Sequence, residues 1–313
     1  MIHNLRYFVP LALAGFIATT LAVAEPQLFE TPRADGSTIH WTLDLPDGGK
    51  KSGLIVLAQG SGCLPAMQSR SMQQARASFG NLAALTVEQY GVTQSDTPTA
   101  EDNSDCPKAF RENQTVSQRV SDYQQVIESL RGASWWNGKL VLFGGSEGGL
   151  AMAILASEVS ADAAVLVSTG GGVPFGEMVR ESVPPEGWPT VDATFERARQ
   201  NPESSEVWAG HSLRFWADII DRRVADDMLR VDTSFLLLQG GGDVWGAPNV
   251  ARATNDLFAQ AGRCNLTYWE FPGYDHGMND KNGNARLADV LTQANGWLAA
   301  QLNTDRNANC ISG

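Results

Sequence analysis

Hydrophobic positions along the chain follow two rhythms. In "STIHWTLDLP", Ile39, Trp41, Leu43 and Leu45 alternate with polar neighbours, the period of a strand with one covered face. "GLIVLAQGSG", "LVLFGG", "AAVLVSTGGG" and "SFLLLQGGGD" are instead short unbroken apolar runs, which predict strands covered on both faces, as in a parallel sheet. "LAALTVEQYG" and "NLTYWEFPGYDHGM" predict two more strands, the second followed by a loop. Helical spacing lies between these runs. Thr115 and Gln118 read as a capping box opening a helix to about Leu130, with Val116, Val120, Tyr123, Ile127 and Leu130 on one side. Further helices are predicted over 150–156, 251–261 and 285–302, and the polar stretch 93–113 reads as a long loop.

Strands alternating with helices predict an α/β fold, a mostly parallel sheet flanked by helices. From about 173 to 231 the texture turns helical, with Trp188, Phe195, Trp208, Phe215, Trp216 and several prolines. This reads as a helical cap inserted before the strand "FLLLQGGGD". Residues 25–313 are thus expected to form one domain, a length sufficient for a large buried core.

The first residues change the picture of where the chain works. Arg6 precedes an apolar stretch ending at Ala22-Val23-Ala24, a small-x-small site, so 1–24 is expected to be a cleaved signal peptide. The remainder has no segment apolar enough to cross a bilayer, and a secreted or periplasmic protein follows. Export makes the four cysteines candidates for disulfides, with three connectivities open. Cys63–Cys106 with Cys264–Cys310 is favoured because each pair closes a short stretch; the first loop would contribute about 4 kcal/mol in the chain-entropy model. A net charge of −12 with no Lys/Arg cluster argues against nucleic acid and anionic membranes as partners.

Candidate chemistry sits at one corner. "FGGSEGGL" places Ser146 in G-x-S-x-G between a predicted buried strand and a predicted helix, where glycines remove clashes and the hydroxyl is pushed clear of the sheet. A serine needs a base, and the base needs orienting. Beyond the leader the chain holds three histidines. His40 lies in the alternating strand, and His211 in an aromatic-rich stretch read as helical. His276 lies in a glycine-flanked loop after the last strand, which makes it the favoured base. Asp243, at the end of another buried strand, is the favoured acid over Asp275, which is adjacent to the histidine.

These motifs, in the order Ser146, Asp243, His276, resemble the α/β-hydrolase superfamily across nearly all of the chain after the leader. G-x-S-E-G-G, "LLLQGG-D" and "DHG" together are similar to secreted serine esterases and peptidases related to dienelactone hydrolase, the prolyl oligopeptidase catalytic domain and acyl-CoA thioesterase-like proteins. "LAQGSGC" resembles the H-G-x oxyanion segment with Gln59 in place of histidine, which implies the backbone N–H groups of Ser61 and Glu147 as oxyanion donors. The resemblance implies ester cleavage through an acyl-enzyme on a small-molecule ester or acyl substrate, with no cofactor. No metal-ligand spacing is present in the sequence. Trp208, Trp216 and Trp245 are candidates for a substrate pocket. A compact serine peptidase or amidase, with Glu147 as a candidate amine-binding group, is the main alternative. A non-catalytic exported binding protein is the second.

Overall fold

The computed structural model describes residues 26–303 apart from 47, 101 and 247. The leader and Cys310, and with it the Cys264–Cys310 pairing, lie outside the described residues. Two strands, β1 (Gln27–Pro32) and β2 (Thr38–Asp44), form an antiparallel edge in which Phe29 stacks on Trp41 at a centroid distance of 4.3 Å. β1 has no sequence signature of its own: it is mostly exposed, ends in a proline and is held by pairing with β2. β2 stops at Asp44, so Leu45 leaves the ladder and is 39% exposed rather than continuing the buried face.

The chain then alternates through β3 (Ser52–Ala58), α1 (Arg70–Ser78), β4 (Ala83–Val87), α2 (Lys108–Asn113), α3 (Val116–Leu130), β5 (Trp136–Gly145), α4 (Glu147–Glu158) and β6 (Ala163–Val167). The stretch expected to be a loop throughout thus ends in the short helix α2. Its one buried residue, Phe110, joins Val92, Cys63 and Cys106 in a small cluster of its own. The Cys63–Cys106 disulfide ties this cluster together, with a Cα–Cα distance of 5.7 Å. The Thr115 hydroxyl accepts the Gln118 N–H at 3.0 Å, but the reciprocal half of the box is missing because the Gln118 amide turns to Asp122 at 2.8 Å.

Between β6 and the next strand of the large sheet lie α5 (Phe175–Ser182), α6 (Trp188–Gln200), the short pair β7 (Val207–Trp208) and β8 (His211–Ser212), α7 (Leu213–Ile219) and α8 (Ala225–Leu229). His211 therefore sits on a strand pair just before a helix, not on a helix. β9 (Ser234–Gly240), α9 (Pro248–Gln260), β10 (Leu266–Phe271) and α10 (Leu287–Asn303) complete the described chain. The sheet order is β1-β2-β4-β3-β5-β6-β9-β10, parallel from β4 onward.

The unbroken apolar runs are explained by two cores. Leu54, Val56, Leu142, Leu166 and Leu237 face α3, α4, α8 and α9, while Ile55, Leu57, Phe143, Val165 and Leu236 face α1 and α10. Adjacent strand residues point to opposite faces, so both must be apolar. β3 and β5 are neighbours although β4 separates them in sequence, so the chain leaves their C-terminal ends in different directions and opens a crevice there.

That crevice is narrow where α4 begins. A Cβ on Gly148 would lie 2.2 Å from the Gln59 carbonyl oxygen, and one on Gly144 would lie 2.3 Å from that of Gly148. Backbone cannot yield as a side-chain tip can. Gly148→Ala is expected to cost about 3 kcal/mol or more, read as a lowered urea midpoint, whereas Gly132→Ala, with no atom near its Cβ, should cost clearly less.

Candidate active site

Ser146 joins β5 to α4 with φ 53° and ψ −126°, a backbone conformation that L-residues avoid. Its N–H is held by the Val167 carbonyl at 2.8 Å, so the strain is imposed by the neighbouring strand. The Ser146 Oγ lies 3.0 Å from His276 Nε2, and His276 Nδ1 lies 2.8 Å from Asp243 Oδ2. The three side chains come from the ends of β5, β9 and β10, parallel strands whose C-terminal ends share one rim of the sheet.

Each member is supported from behind. Asp243 is 3% exposed, and its carboxylate accepts the N–H groups of Trp245 and Gly246, each at 2.9 Å, and the Gln239 amide at 3.0 Å. Burial works against its charge, but the hydrogen bonds from His276 and these N–H groups outweigh it and hold the carboxyl below its usual range. A charged Asp243 only accepts, so Nδ1 carries the imidazole proton and Nε2 presents its lone pair to the serine hydroxyl. The Ser168 hydroxyl donates to the His276 carbonyl at 2.9 Å. Asp275 turns away from the imidazole and accepts the N–H groups of Gly277 and Asn279 at 2.9 and 2.8 Å, bracing the loop.

The loop after β3 runs beside this centre: a Cβ on Gly60 would touch the Ser146 Cβ at 3.5 Å. Ser61 is the next residue, and Glu147 is the first of α4, where N–H groups have no intrahelical partner. Gln59, which stands where the resemblance expects histidine, donates its amide to the Leu64 carbonyl at 2.7 Å and closes the loop on itself. Gln89 donates to the carbonyls of Gly60 and Gly62 at 3.1 and 2.6 Å.

The chain has the α/β-hydrolase fold. Est1E from Butyrivibrio proteoclasticus, in a structure with bound ferulic acid, superposes with a TM-score of 0.62 at 16% identity over 87% of this chain and 98% of its own. DcsB, in complex with a substrate analogue, gives 0.60 at 16% identity over 88% and 99%. A puromycin-hydrolyzing peptidase from Mycobacterium tuberculosis gives 0.63 at 16% identity, over 90% of this chain but only 40% of its own. No protein-family profile and no curated protein sequence matches the chain. Among the described residues no helix is long and apolar enough to cross a membrane, and no cluster of His, Cys, Asp and Glu could hold a metal ion.

Within this α/β-hydrolase fold, Ser146 and His276 border a cavity of about 180 Å³ lined on its apolar side by Met72, Phe143, Val167 and Leu287, with Ser71 and three glycines making up the rest. Trp208, Trp216 and Trp245 do not line it. Trp216 is 4% exposed and packs among Trp208, Phe195 and Phe215, with its indole N–H on the Trp208 carbonyl at 3.0 Å, while Trp245 is 70% exposed. The aromatic richness of 173–231 is therefore largely the internal packing of that segment.

Glu147, the candidate amine-binding group, has a side chain whose direction the sequence left open. It is buried, with Oε1 on Arg119 Nη1 at 3.2 Å and Oε2 3.9 Å from His211 Nε2. His211 stacks on Phe215, and burial lowers its pKa against the attraction of Glu147. Sequence reasoning missed Arg119; the signal that could have found it is a charge on the apolar stripe of α3, among Val116, Val120 and Tyr123.

Glu88, at the end of β4, is a second buried acid outside the serine centre. It accepts the Ala66 N–H at 3.0 Å and the Gln94 amide at 2.5 Å, yet burial pushes its pKa up to about 7, with Asp96 adding to the rise and Arg119 opposing it. The native state then holds this proton more tightly than the unfolded chain, so Glu88's contribution is intact below about pH 4.5 and lost as pH rises through about 7. Glu88→Gln should gain stability relative to wild type between those values, read from urea midpoints across pH. The strain at Ser146 yields a separate expectation: Ser146→Gly should raise stability by about 1 kcal/mol, because glycine adopts this conformation freely.

Proposed function

We propose that the protein is an exported serine hydrolase that cleaves carboxylic esters of short, uncharged acyl groups. The observation that carries this reading is the continuous series Asp243–His276–Ser146, with contacts of 2.8 and 3.0 Å, ending on a hydroxyl at a strained elbow. In the proposed reaction His276 Nε2 takes the Ser146 proton as Oγ attacks the acyl carbon. The oxyanion is received by the N–H groups of Ser61 and Glu147, the second favoured by the helix N-terminus. The imidazolium then gives its proton to the departing alcohol, and Asp243 stabilises that charged form. Water, deprotonated by the same nitrogen, attacks the acyl-enzyme; the acid leaves and Ser146 regains its proton.

The apolar side of the cavity, Met72, Phe143, Val167 and Leu287, supports an apolar acyl group, and its modest volume of about 180 Å³ suits a short one. Glu147 is already paired with Arg119, which weakens its case as a partner for a substrate ammonium and so favours the ester over the aminopeptidase reading. The leader and the Cys63–Cys106 disulfide support export.

A fluorophosphonate probe is expected to label Ser146, with the adduct lost in Ser146→Ala. On p-nitrophenyl esters, kcat/KM should be higher for short than for long acyl chains, and Met72→Ala or Leu287→Ala should shift the preference toward longer chains. Absence of the adduct on folded protein would return the chain to the binding-protein reading. Equal rates on esters and on amides of matched acyl group would favour the peptidase or amidase.

A further inference from the structure

The two proposed oxyanion donors belong to segments far apart in sequence: Ser61 follows β3, and Glu147 opens α4. A developing oxyanion is stabilised only if both N–H groups reach it together, so something must set the spacing between the segments. Gly148 lets them touch, but contact alone only limits how close they come.

Arg119 spans them. From α3 its Nη1 reaches Glu147 Oε1 at 3.2 Å and its Nη2 reaches the Gln59 carbonyl at 2.6 Å. The side chains of Arg119 and Glu147 are 2% and 5% exposed. One planar group thus grips the residue that carries one donor and the peptide immediately before Gly60-Ser61. The far side of the loop is gripped separately, by Gln89 on the Gly60 and Gly62 carbonyls and by the disulfide at Cys63.

Stability is a poor explanation for this arrangement. A buried ion pair seldom outperforms well-packed apolar side chains, and Arg119 occupies the apolar stripe of α3, where leucine or methionine would suit Val116, Val120 and Tyr123. The arginine also leaves its Nε–H without a hydrogen-bond partner among the described residues. A planar fork with two fixed donor directions is what the geometry uses, and lysine, a point charge, cannot reproduce it.

Resting on the serine-hydrolase reading, we propose that Arg119, acting through Glu147 and the Gln59 carbonyl, is a positioning residue that sets the spacing of the two oxyanion donors. It touches no substrate. It acts by fixing where two backbone N–H groups stand.

The test uses the full exported chain with Arg119→Met, Arg119→Lys, Glu147→Ala and the Arg119→Met/Glu147→Ala double variant. Steady-state kinetics on a p-nitrophenyl ester, amide hydrogen exchange of the 59–66 segment and thermal midpoints are measured on each. The expected result is a fall in kcat of about 10- to 100-fold with KM within about threefold, in Arg119→Met and Glu147→Ala alike. The double variant should be no worse than either single change, because the pair acts as a unit. Exchange in 59–66 should quicken, and Arg119→Lys should recover only part of kcat. A folded Arg119→Met with kcat within twofold of wild type, and unchanged exchange in 59–66, overturns the proposal. Should that variant fail to fold, Arg119→Lys decides: a kcat lowered at least fivefold supports the proposal and an unchanged one overturns it. If wild type turns over no ester and takes no fluorophosphonate, the hydrolase reading has failed. The exchange comparison then still decides whether Arg119 holds the loop.

Discussion

The first turn of α4 crosses the end of β3 in backbone-to-backbone contact, and most of the site's geometry follows from that crossing. At Gly148 the carbonyls of Ala58 and Gln59 occupy the space a side chain would need. This close approach brings the N-terminus of α4 beside the 59–64 loop, and the turn between β5 and α4 must then be completed within one residue. Ser146 absorbs the bend by adopting φ 53°. Strain of this kind persists only where the surroundings over-determine it, and here the Val167 carbonyl and two flanking strands do so.

Around that corner the parallel sheet gathers groups that the chain keeps far apart. Strands running the same way end on the same rim, so the loops after β5, β9 and β10 converge although helices and a long insertion separate them. The rim alone would leave Asp243 and His276 loosely placed. Gln239, the N–H groups of Trp245 and Gly246, and the Ser168 hydroxyl remove that freedom. His276 itself, with the N–H groups of Gly246 and Trp245, keeps Asp243 ionised despite burial, which fixes the imidazole tautomer. Contacts that place the aspartate thus also set its protonation. The loop after β3 is treated the same way, with Gln59, Gln89, Glu88 and a disulfide each restraining a different residue.

Legibility in the sequence followed the kind of signal each feature leaves. The central strands were plain, because a strand covered on both faces must be apolar at every position. The Ser146, Asp243 and His276 cluster was also plain, because each lies where a buried run meets a glycine-rich turn. β1 left no signal, since an exposed edge strand imposes no periodicity and forms through its partner. α2 was hidden inside a polar stretch because a single phenylalanine, Phe110, anchors it. The tryptophans do not line the cavity at Ser146: richness in aromatic residues says that something is packed, not what it is packed against.

The division between chain and fold is therefore a physical one. Periodicity, glycine spacing and strand-end residues are local properties, and they sufficed for the α/β architecture, the elbow at Ser146 and the identity of its histidine and aspartate neighbours. The cavity walled by Met72, Phe143, Val167 and Leu287 joins residues from α1, β5, β6 and α10, and no local pattern relates them. The Arg119–Glu147 pair is likewise a meeting within the sheet's helical layer, and its one trace in the sequence, a charge on an apolar stripe, does not name the partner. Contacts of this kind depend on how helices pack onto a twisted sheet, and that is settled by side-chain volume and close backbone approach in three dimensions.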